Sequence, residues 1–93
     1  MDHSKRDQMP VKVIADAIET VTNQVNYRLK GIGSGSMASV QEIVGVLRGE
    51  LMIFETDLAR GTSSLENTEA SLSRLAASAI FGLASSRYGK LKW

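Results

Sequence analysis

From Val11 the apolar positions fall at Val11, Ile14, Ile18, Val21, Val25 and Ile32, with Arg28 or Leu29 filling the missing step. Steps that alternate between three and four residues trace one face of a helix, because a strand repeats every second residue. Pro10 stands at the head of this segment, where its fixed φ and missing N–H suit a first helical turn. Arg28 and Lys30 sit in the last turn, and Gly31 is placed to end it in the left-handed conformation. The pattern predicts a helix over 10–31, behind a polar leader over 1–9 that has no packed structure.

Residues 32–38 carry Gly33-Ser34-Gly35-Ser36, which keeps backbone freedom and buries nothing. The run reads either as a natural flexible turn or as a joint at which two segments, 1–32 and 37–93, have been fused. After it, Ser39-Val40-Gln41-Glu42 spells a capping box, and Ser63-Ser64-Leu65-Glu66 repeats the spelling just beyond Arg60-Gly61, a cationic last turn with a cap glycine. These signals predict a second helix from Ser39, a turn at 61–63, and a third helix from Ser64 to about Tyr88. Gly89 then precedes a basic tail over 90–93.

Across this half, a heptad series reads Val44, Leu51, Leu58, Leu65, Leu72, Ala79, Ser86, and the interleaved series reads Leu47, Phe54, Gly61, Thr68, Leu75, Gly82, Gly89. It keeps its phase through Gly61, so 39–89 reads as a helical hairpin or as one long helix that must pair with another copy. Gly61 and its Thr and Ser neighbours would cost about 2 kcal/mol inside a continuous helix, and cap signals on both sides favour the turn. The second helix adds Ile43, Val46, Met52 and Ile53 to its apolar face, which suits the middle helix of a bundle or one covered by a partner. The third is rich in Ala, Ser and Gly from Ala76 to Ser86, so another backbone can approach it closely. Ile80 and Phe81 point about 100° apart there, and a Phe81 left outside the seam is a docking residue.

A chain of 93 residues holds one core, so the fold class is all-α, a three-helix antiparallel bundle or a helical hairpin or coiled coil that oligomerises. A net charge of +1 makes no electrostatic case for nucleic acid, whose binders carry a basic excess. Zero cysteines exclude disulfides and thiolate metal sites. The single histidine, His3, lies in the leader and leaves Ser63 and Ser64 with no imidazole to activate them. Gly31–Ser36 resembles a phosphate loop only superficially, lacking both the Gly-Lys-Ser/Thr ending and a preceding strand. Catalysis, a small-molecule substrate and a cofactor are therefore not expected.

The leader has no apolar core of a signal peptide, and the longest near-apolar run, 75–84, is about half a bilayer span, which points to a cytoplasmic protein. The expected role is a non-enzymatic interaction module: a small structural subunit, adaptor or chaperone of a multi-protein assembly. It would bind a protein partner or itself through Leu47, Leu51, Phe54, Leu58, Leu65, Leu72, Leu75 and Phe81. The alternative comes from charge. Residues 37–69 hold two bases and six acids, whereas 70–93 hold four bases and no acid. A basic pole of Arg28, Lys30, Arg87, Lys90 and Lys92 would then dock on an anionic membrane surface or nucleic acid.

Overall fold

Residues 6–93 are described by the computed structural model; the leader residue His3 lies outside them. Three helices follow in order: α1 (Val11–Gly31), α2 (Val40–Ala59) and α3 (Leu65–Tyr88). Pro10 caps α1 from outside, with φ −57° and ψ 141°, and its carbonyl accepts the Val13 N–H at 3.0 Å. The helix closes later than the position of Gly31 predicts. The N–H of Ile32 still reaches the Arg28 carbonyl at 2.8 Å, so Gly33, not Gly31, takes the positive φ of 81°.

Ser39 caps α2, accepting the Glu42 N–H on its Oγ at 3.1 Å, while Glu42 Oε2 accepts the Ala38 N–H at 2.9 Å. The carboxylate thus reaches one residue further back than the capping box requires. At the other end, Gly61 adopts φ 69°, its N–H bonds the Leu58 carbonyl, and the Thr62 N–H bonds the Asp57 carbonyl. That pair of bonds is a Schellman motif, and it stops the helix. The single long helix is excluded: the heptad passes through Gly61 in sequence, but the chain reverses there. The α3 cap also sits one residue later than Ser63-x-x-Glu66 implies. Ser64 Oγ accepts the Asn67 N–H at 3.0 Å, and the Asn67 amide donates to the Thr62 carbonyl at 3.0 Å, tying the cap to the Schellman turn.

α2 and α3 run antiparallel, with Ile43 against Gly82 and Glu50 beside Arg74. The open end of this hairpin is closed by the last residues. Val40 N–H bonds the Lys92 carbonyl at 3.0 Å and Lys92 N–H bonds the Ala38 carbonyl at 2.9 Å, an isolated parallel bridge. Residues 90–93 are therefore laid back on the start of α2.

α1 and α2 both pack on α3 and not on each other. The middle helix is α3, not the more apolar α2, because the small side chains of α3 let two helices approach one axis. Its buried residues are Ser71, Ala77, Ser78, Gly82 and Ser85, whereas α1 and α2 contain no fully buried residue. Only the second half of α1 is covered: Val21, Gln24, Val25 and Arg28 are half-buried, and every residue of 11–20 is exposed. The accessible surface is 7304 Å² for a 10.1 kDa chain, against about 5300 Å² for an ordinary folded monomer of that mass. A radius of gyration of 15.4 Å, against an expected value of about 12 Å, says the same.

Candidate interaction surface

The seam between α2 and α3 is built from residues one position ahead of the leucine heptad. On α2 it runs through Ile43, Glu50 and Asp57, flanked by Leu47 and Phe54, all half-buried; on α3 it runs through Ser71, Ser78 and Ser85, which are 2%, 0% and 4% exposed. Ala77 is the one fully buried hydrophobic residue among those described. A stepwise serine series keeps the helices close, but each buried hydroxyl needs a partner.

Those partners tie the three helices together. Arg28 of α1 donates from Nη1 to Ser78 Oγ at 2.9 Å and from Nη2 to the Arg74 carbonyl at 3.2 Å. Arg74 donates to Ser71 Oγ at 3.3 Å and from Nε to Glu50 Oε2 at 3.2 Å. The other oxygen of Glu50 lies 3.8 Å from Arg28 Nη2. One carboxylate on α2 thus faces guanidinium groups from α1 and α3. Ser85 Oγ accepts the Met37 N–H at 2.9 Å and donates to the Phe81 carbonyl at 2.8 Å, which fixes the 32–38 connection against α3. Among the described residues no buried side-chain N or O lacks a hydrogen-bond partner.

The structure divides the sequence-predicted anchors into two groups. Leu47, Phe54, Leu75 and Phe81 are half-buried inside the molecule. Phe81 is not left outside the packing: it lines a groove of about 690 Å³ between α1 and α3 with Val25, Leu29 and Ala84. Leu51, Leu58, Leu65 and Leu72 face outward with Val44, at exposures from 44% to 76%. Among the basic residues, Arg28 is drawn into the Glu50 cluster, while Lys30, Arg87, Lys90 and Lys92 are exposed.

Val44, Leu51, Leu58, Leu65 and Leu72 share one side of the hairpin. Each residue of a helix turns about 100° from the one before, so a residue that follows a seam position stands on the seam's flank. Val44, Leu51 and Leu58 follow Ile43, Glu50 and Asp57; Leu72 and Ala79 follow Ser71 and Ser78. In two antiparallel helices, flanks of the same sense lie on the same side, so the two rows form one surface. The opposite flank carries Val46 and Phe81, which line a common hollow with Arg28 and Ile32 at the end of α1. The second half of α1 therefore lies against α3 on that flank, where Ile53 of α2 stays 48% exposed, and no helix lies on the leucine side.

Sequence reasoning did not reveal Glu50, Arg74 or the serines as the molecule's interior. The seven-residue spacing of Ser71, Ser78 and Ser85 was the available signal. Among the described residues no group of acidic or histidine side chains is arranged to hold a metal ion, and no helix is long and apolar enough to cross a membrane. Compared with protein-family models, curated proteins and solved structures, the chain matches none.

Proposed function

We propose that this chain is a helical protein–protein interaction module, a small subunit, adaptor or chaperone of an assembly, which works by helix packing and carries out no chemical step. One observation carries the reading: the aliphatic series Val44, Leu51, Leu58, Leu65 and Leu72 is regular enough to be a packing seam, and all five members are 44% or more exposed. Isolated exposed leucines are ordinary, but an apolar row with helical spacing on one side of a hairpin is a binding surface. The basic pole keeps Lys30, Arg87, Lys90 and Lys92 exposed, but Arg28 is held in the Glu50 cluster, and no geometry comparable to the aliphatic row favours that second reading.

Site-specific photo-crosslinking in the native host tests this. A photoreactive side chain at Leu51 or Leu72 is expected to give protein adducts, including adducts with the chain itself, and one at the exposed Asn23 on α1 is not. Equal labelling at all three positions, or none, contradicts the reading.

A further inference from the structure

We infer that the occupant of the bare hairpin side is a second copy of this chain, packed antiparallel about a two-fold axis near Leu51. The inference rests on the interaction-module reading and names its partner.

Area is the first argument. The exposed parts of Val44, Leu51, Leu58, Leu65 and Leu72 amount to roughly 500 Å², the larger part of the ~800 Å² per partner that a stable dimer uses.

Symmetry and charge are the second. The α2 row, Val44, Leu51 and Leu58, is symmetric about Leu51, so reversing one copy on the other sets Leu51 against its counterpart and Val44 against Leu58 of the other copy. Just outside the row, on the same flank, stand Arg48 and Glu55, both exposed and neither in an ion pair among the described residues. Their midpoint falls beside Leu51. The two-fold that centres the apolar row therefore brings Arg48 of each copy to Glu55 of the other. A parallel two-fold would carry the Arg48 and Glu55 of the two copies to opposite edges of the face and leave both without this pairing. The result is a four-helix layer of two hairpins, with each α1 on the outside.

The absence of cysteine makes a direct test possible. In the full-length chain, Leu51→Cys is expected to form a disulfide-linked dimer on mild oxidation. Val44→Cys mixed with Leu58→Cys should give the mixed dimer, and Met52→Cys, on the far side of α2, should give none. Light scattering of the cysteine-free chain is expected to show twice the monomer mass at high micromolar concentration. Arg48→Glu should weaken the dimer about tenfold, and adding Glu55→Arg should restore it. The restoration separates a charge contact from a folding defect.

A monomer at all concentrations, a dimer lacking the Leu51→Cys link, or Val44→Cys linking to itself would each overturn the inference. A monomer whose Leu72 position still photo-crosslinks to a different protein would end the inference and leave the interaction-module reading standing. A monomer with no adduct would end both.

Discussion

Ser85 holds Met37 N–H and the Phe81 carbonyl with a single hydroxyl, so Ser85→Ala removes almost no volume yet orphans a backbone donor in the 32–38 connection. The expected loss is about 1 kcal/mol in urea unfolding, with helix content unchanged. Glu50 carries more. In Glu50→Ala, Arg28 and Arg74 face each other without a counter-charge, which costs about 1–3 kcal/mol; the one-third exposure of Arg74 keeps the figure toward the lower end. If Glu50→Ala unfolds no more readily than the native chain, the cluster holds nothing together. These residues explain why the basic pole of the sequence reading lost a member. Summing charges along a chain gives a balance but no pairing, and Arg28 and Glu50 are brought together only through α3.

The elements themselves rest on local chemistry, which is why most of their ends could be read in advance. Ser39 with Glu42 and the turn at Gly61 lie within a few residues of what they cap. The slips, Gly33 for Gly31 and Ser64 for Ser63, are one- or two-residue choices between neighbouring residues of equal competence. How closely the elements approach is a property of glycine at only one position. A Cβ on Gly82 would stand 3.0 Å from Ile43 Cγ2, whereas one on Gly45 would meet nothing. Gly82→Val is therefore expected to push α2 from α3 and cost about 1–3 kcal/mol. Gly45→Ala should add up to about 1 kcal/mol through helix propensity alone. Thermal unfolding of the two variants checks the contrast, and a Gly82→Val protein as stable as the native chain would mean that the helices are not in contact there.

At the scale of the whole molecule, periodicity revealed that an apolar stripe exists but not what covers it. The leucine row from Val44 to Leu72 reads as a core seam, and a rotation of one residue, about 100°, turns it outward and brings Ile43, Glu50 and the serines inward. Nothing local distinguishes the two rotations; the choice follows from where small residues let three helices meet. The fully buried residues, Ser71, Ala77, Ser78, Gly82 and Ser85, remove little apolar area from water, so the proposed pairing predicts that the outward leucines add stability when a second copy covers them. Circular-dichroism melting over a hundredfold range of concentration tests this most directly. The native chain should melt at a midpoint that climbs with concentration, and Leu51→Glu/Leu72→Glu at a midpoint that does not move, with native helix content below it. A native midpoint independent of concentration, together with loss of helix in the double variant, would place those leucines in the core and contradict the account.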